Sequence, residues 1–385
     1  MRRTALTTLA LLALTGCSDP SPVRDPEPAA GPIRTIERAP IPSRVAHTAV
    51  WTGEEMVVWG GRGAPDKSTE PNRPPNSHAT LPADGAAYDP EADSWRVLAK
   101  SPLSGRTGQN DVWTGSSLLI WGGNAKRGKL KDGASYDPAA DTWTALPDAP
   151  DARSGAQTAW TGTEALFIGG SREDGVAYNP ATRAWRALPD APFHSYDWAL
   201  STWTGEEFLL FVETSGSRET KGAAYDPASD TWRTLPTGPV AAGVSSGAVW
   251  TGDRAVLFSS SSRLYSRGEK DPLDPGGAYI PKTNKWERIT LSPPATTAMT
   301  GYGEPMLAGR EIVQWGGARP AIAYHLDESR WRSIPVPKIP WREFPSLVWT
   351  GTEIIAWGGD SCPPAANCFA LMPVEDGVAL NPTRA

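Results

Sequence analysis

Short apolar runs recur along this chain between turn-forming residues, and they recur in register. Trp-Thr-Gly begins at Trp51, Trp113, Trp160, Trp203, Trp250 and Trp349, with Leu307-Ala308-Gly309 in the same place. An apolar run follows each and ends nine residues after the anchor. Gly60-Gly61, Gly122-Gly123, Gly169-Gly170, Gly316-Gly317 and Gly358-Gly359 stand there, and Val212-Glu213 and Ser259-Ser260 are the two departures. A second lattice follows each variable insertion: Tyr88, Tyr136, Tyr178, Tyr225, Tyr279 and Tyr324 each precede a tryptophan by seven residues. Asp-Pro or Asn-Pro usually lies between them, a pair that favours a turn because the side-chain oxygen accepts a backbone N–H while proline fixes φ. Each unit therefore predicts four short strands, a to d: a leads to the Thr-Gly turn, b ends at Gly-Gly, c carries the tyrosine and d opens at the second tryptophan.

Seven such units, averaging about 50 residues, predict an all-β repeat fold, a seven-bladed propeller. The chain ends fit this ring. The last unit stops at Ala379-Leu380-Asn381-Pro382 without a strand d. Ile33-Arg34-Thr35-Ile36 reaches Arg44 after eleven residues, as Trp95-Arg96-Val97-Leu98 reaches Arg106. The N-terminal strand is thus expected to complete the last blade and to close the ring without free strand edges. Sixteen of the 18 tryptophans occupy recurring positions and are read as packing between blades. The Gly-Gly pairs are read as places of close backbone approach.

The segment before the ring differs in kind. Met1-Arg2-Arg3, an apolar stretch from Ala5 to Leu14, and Leu14-Thr15-Gly16-Cys17 predict an export signal over residues 1–16. Its apolar part is too short to span a bilayer as a helix. Residues 17–31, rich in proline and charge, are expected to form a flexible tether, with the propeller over 32–385. Leu-Thr-Gly-Cys is similar to the bacterial lipoprotein signal, which implies a diacylglycerol on Cys17; Ser18 leaves an outer-membrane or cell-surface address open. With Cys17 lipidated, Cys362 and Cys368 remain, and an oxidising compartment predicts a local disulfide. The balance of 37 Lys and Arg against 43 Asp and Glu argues against nucleic acid as a partner.

Tyr88-Asp89-Pro90, then Trp95, Arg106, Trp113-Thr114-Gly115 and Trp121-Gly122-Gly123 resemble the kelch repeat, and the span from Ile33 to Asn381 fits it. The resemblance implies a propeller and leaves function open, because kelch propellers include protein-binding modules, a bacterial sialic-acid epimerase and the copper enzyme galactose oxidase. The copper enzyme's set of two tyrosines, a cross-linked cysteine and two histidines has no counterpart in a chain whose histidines are His47, His78, His194 and His325. No cofactor and no metal site are expected.

Seven residues before the anchors stand Arg44, Arg106, Arg153, Tyr196, Gly243, Thr300 and Arg342. The four arginines fall on consecutive blades. They read either as ties between loops, as in the kelch pattern, or as an arc for a carboxylate or phosphate. Two residues further on come Ala46, Gly108, Gly155, Trp198, Ser245, Tyr302 and Phe344. Trp198, Tyr302, Phe344 and Trp341, which adjoins Arg342, are the candidate surface for a flat or sugar-like ligand, or a plug of one channel end. His47 reads as a satisfied structural histidine. His194 with Asp197 is a weaker acid–base candidate, and Glu304 and Glu343 add carboxylates near the same rim. The longest b–c insertions fall in blades one, five and seven, where partner recognition is commonly placed.

Together these features predict a cell-envelope lipoprotein acting as a non-enzymatic protein- or ligand-binding propeller. Its expected partners are the membrane, through its lipid, and an envelope protein or acidic saccharide. The alternative is a carbohydrate-active, epimerase-like enzyme on an acidic sugar; a structural spacer is a third possibility.

Overall fold

The computed structural model describes residues 33–64, 79–170, 172, 174–193, 198–213, 219–241, 245–259, 276–289, 304–315, 321–334, 345–361, 372–373 and 377–382. They build seven antiparallel blades of a β-propeller. Blade 1 runs Thr48–Trp51, Met56–Trp59, Gly85–Asp89 and Ser94–Val97 from strand a to strand d. The a strands of blades 2 to 7 are Asn110–Trp113, Gln157–Trp160, Trp198–Trp203, Ser245–Trp250, Pro305–Ala308 and Ser346–Trp349. Neighbouring a strands lie side by side around the axis. Side chains also link them: Gln109 donates to Thr48 Oγ1 at 3.0 Å, and Ser201 donates to Gln157 Oε1 at 3.0 Å.

The ring closes as its ends predict. Ile33–Ile36 is strand d of blade 7, antiparallel to Gly377–Leu380, with Ile33 opposite Leu380 and Ile36 opposite Gly377. Both members of the aromatic lattice pack as cross-strand partners. Tyr88 faces Trp95 and Tyr136 faces Trp143, with ring centroids 5.0 and 4.8 Å apart. Such pairs stabilise sheets beyond their buried area.

Seven apolar clusters form the core, one at each junction between blades. At the junction of blades 2 and 3, Trp121 packs against Phe167 and Trp185, each 4.9 Å away between centroids. In blades 1 to 5 the strand-d tryptophan also fastens the blade to the one before. Trp95 donates its indole N–H to Glu37 O at 2.8 Å, and Trp143 donates to Ala99 O at 2.9 Å. Gly61, at φ +91°, shows what the Gly-Gly pairs do: a Cβ there would lie 2.7 Å from both His47 Cβ and Val45 O. Only glycine lets the end of strand b pass that close to the chain entering strand a.

Because every pair of neighbouring strands is antiparallel, the a–b and c–d turns share one face, and the b–c and d–a segments share the other.

Candidate functional site

On the b–c and d–a face, Arg44, Arg106 and Arg153 occupy equivalent positions in consecutive blades, and all three are fully buried at 0% exposure. Arg106 donates to Ser104 O, Gly122 O and Asp132 O at 2.9 to 3.2 Å, and its guanidinium pairs with the Asp132 carboxylate at 2.9 and 3.0 Å. Arg44 repeats this with Pro42 O, Gly60 O, Asp84 O and Asp84 Oδ1. Arg153 does so with Gly169 O, Asp174 O and the carboxylates of Asp151 and Asp174. One guanidinium therefore binds the d–a segment, the end of strand b and the end of the b–c segment together. Of the two readings of these arginines, the geometry is that of the tie, since their donors point into the protein. Burial holds the Arg44 guanidinium below its ordinary value despite Asp84.

Arg342, Tyr302, Trp341, Phe344, His194, Asp197 and Glu343 lie outside the described residues, as do Cys17, Cys362 and Cys368. Trp198 begins strand a of blade 4, where its backbone pairs with Glu213. His47 is structural in position but not satisfied as expected. It is 8% exposed and packs edge-on against Trp357 at 5.1 Å, and neither ring nitrogen has a hydrogen-bond partner among the described residues. Burial, reinforced by the Arg44 charge, lowers its pKa to about 3, which a nearby Arg44 backbone group offsets only slightly, so the imidazole is neutral.

The inner strands carry a feature the sequence reading passed over. Two residues before each anchor stand Ala49, Asp111, Thr158, Ser201, Ala248, Pro305 and Leu347, so Asp111 is the one acid in an otherwise small or apolar set. It keeps some accessible surface but lies inside the ring, where burial pushes its carboxyl up to about 6. The Thr48 side chain hydrogen-bonds to it and opposes that rise, and the charge of Glu304 adds to it. Glu304, just before strand a of blade 6, is open to solvent by surface area, yet its carboxyl is also raised by burial. Partial exclusion of solvent reconciles the two, because water reaches the group but too little of it surrounds the charge. Among the described residues, no three His, Cys, Asp or Glu side chains gather as metal ligands.

A second recurring unit, also missed, lies on the opposite face. The arginine after the strand-d tryptophan pairs with the glutamate four residues after its own blade's anchor and reaches the lattice tyrosine of the next blade. Arg96 chelates Glu55 at 2.6 and 2.8 Å and donates to Tyr136 Oη at 3.0 Å; Tyr136 donates to Asp141 at 2.7 Å. Arg34, Arg186 and Arg233 make the same clasp to Tyr88, Tyr225 and Tyr279, which donate to Asp93, Asp230 and Asn284. Burial, with the bond donated to Asp230, pushes the Tyr225 hydroxyl up to about 12. The accepting residue sits in the c–d turn at φ between 45° and 55°, a region that Asp and Asn tolerate better than most residues.

No protein-family model matches this chain, and no curated protein matches it.

Proposed function

We propose that this chain is a kelch-type propeller anchored to a bacterial membrane through a lipid on Cys17, and that it acts as a non-enzymatic binding module for an envelope protein or other ligand. The observation that supports this reading is the use made of Arg44, Arg106 and Arg153. Each is buried and directs donors to the d–a and b–c segments of one face, although Arg44 Nη2 has no partner among the described residues. A face stiffened at its base in this way can carry insertions of different length with little entropy lost on binding. The insertions of blades one and seven are neighbours in the ring and would form its recognition wall.

Photocrosslinkers placed between Gly63 and Pro82, in cells making the lipidated protein, test this reading. A discrete adduct that disappears when the insertion is replaced by a short Gly-Ser loop supports it. Adducts indifferent to that replacement, or formed equally from positions on the opposite face, contradict it.

A second reading, an enzyme acting on an acidic sugar, is favoured by Asp111. A carboxyl raised to about 6 inside the ring, within electrostatic reach of a second raised carboxyl, suits general acid–base work. Incubation with sugar acids in deuterated water tests it. Solvent deuterium incorporated by the wild type and not by Asp111→Asn would favour the enzyme.

A further inference from the structure

The clasp that joins blades 7 to 1, 1 to 2, 3 to 4 and 4 to 5 changes at the other three junctions. Between blades 6 and 7 Arg332 still pairs with Glu311, but Leu380 stands in the tyrosine's place and Arg332 donates to Pro382 O. Between blades 2 and 3, Thr144 replaces the arginine and Arg183 replaces the turn aspartate. Arg183 then reaches back to Ala145 O at 3.0 Å, so protein spans that junction. Between blades 5 and 6 the ion pair is reversed. Arg254 stands on the turn and Glu287 on strand d, 2.7 Å apart, while Ser329 replaces the aspartate. Nothing takes the place of the carboxylate. Tyr324 is 7% exposed, its hydroxyl makes no hydrogen bond among the described residues, and it lines a cavity of about 340 Å³.

In the intact clasps the tyrosine's shortest bond is the one it donates to the turn residue, 2.5 to 2.7 Å long. At this junction the hydroxyl and guanidinium groups line one cavity, and both the arginine's bond to the tyrosine and the acceptor for its hydroxyl are missing among the described residues. The charged lining is Arg254, Arg288 and Arg310 against Asp253, Glu287 and Asp327. These acids already pair with arginines: Asp253 and Glu287 with Arg254, and Asp327 with Arg310. Val256, Ala278 and Ile289 give the cavity an apolar floor. A hydroxyl that faces a cavity without its protein acceptor can donate to a ligand there, and a charged acceptor beside a guanidinium makes the strongest such bond.

We propose that the cavity between blades 5 and 6 binds a small carboxylate-bearing molecule, whose carboxylate accepts from Tyr324 Oη in the place that Asp141 fills beside Tyr136. The volume sits at the small end of the range for ligand sites and suits a single sugar acid. The site lies on the a–b and c–d face and does not depend on the reading of the arginine-tied face.

The test is a thermal-shift and calorimetric titration of the propeller with D-glucuronate, with D-glucose and D-glucosamine as neutral and cationic controls. The wild type is expected to show a saturable rise in Tm with glucuronate alone. Tyr324→Phe, which removes one oxygen, is expected to weaken binding at least tenfold. The triple variant Arg254→Glu, Glu287→Arg and Ser329→Asp installs the residues of the intact clasps. It is expected to lose binding while melting no lower than the wild type. Absence of any glucuronate effect, an equal or larger effect of glucosamine, or full binding by Tyr324→Phe would each overturn the proposal.

Discussion

Arg34 and Glu353 lie at opposite ends of the sequence and meet at 2.9 Å, where the first strand of the chain completes the last blade. Arg34 also donates to Tyr88 of blade 1, so one side chain joins the N-terminal strand, blade 7 and blade 1. Burial alone would lower its pKa, but the bonds to Glu353 and Tyr88 more than offset this and hold it above its ordinary value. Arg34→Ala should lower stability by about 1–3 kcal/mol, since two charge-assisted bonds are lost at a partly exposed site. Urea denaturation checks the size. Limited proteolysis checks the mechanism, because the first cleavage should move to the N-terminal strand.

Asp111 gives the fold a pH dependence of defined sign. Its carboxyl titrates near 6 in the folded state, above the value of about 3.9 for an unfolded chain. The native state therefore binds the proton more tightly, and this group's contribution falls as pH rises from about 4 to 6. Asp111→Asn should be more stable than the wild type at pH 7, by roughly 1–3 kcal/mol, and the difference should vanish below about pH 4. Denaturation midpoints of the two proteins across that range measure it.

Trp59 and Trp121 stand at the same place in blades 1 and 2 and are both fully buried, but their indole N–H groups differ. Trp121 donates to Lys131 O at 3.0 Å, whereas Trp59 Nε1 has no partner among the described residues. Replacing each with phenylalanine removes similar volume, so the comparison isolates the hydrogen bond. Trp121→Phe should cost about 1 kcal/mol more than Trp59→Phe in parallel urea titrations.

The blade lattice was legible because packing imposes one spacing on every repeat: tryptophan, tyrosine and Gly-Gly recur, and so does the fold. Ring closure was legible for the same reason, as Ile33–Ile36 carries the spacing of a strand d. The direction of a side chain was not. Spacing located Arg44, Arg106 and Arg153, but it left open whether they face a ligand or their own loops, since both roles suit a guanidinium. Asp111 was visible as a lone acid in its register, yet its raised pKa arises from the ring around it. The clasps were harder to find. Arg96 and Glu55 are 41 residues apart within one blade, and Arg96 and Tyr136 are 40 apart across two. The substitutions at Glu287 and Ser329 acquire meaning only when those partners are known.

The account rests on the arginines of one face being architecture, and the most direct test is the stability of Arg106→Ala. Arg106 is fully buried, and its loss would remove its bonds to Gly122 O and to the Asp132 carboxylate. Urea denaturation followed by tryptophan fluorescence should show a loss of about 2–4 kcal/mol. Hydrogen exchange should rise at Gly61 and Gly123, whose amides bond to the Arg106 and Arg153 carbonyls. A variant as stable as the wild type, with unchanged exchange, would contradict the account and return the arginine arc to the role of a ligand site.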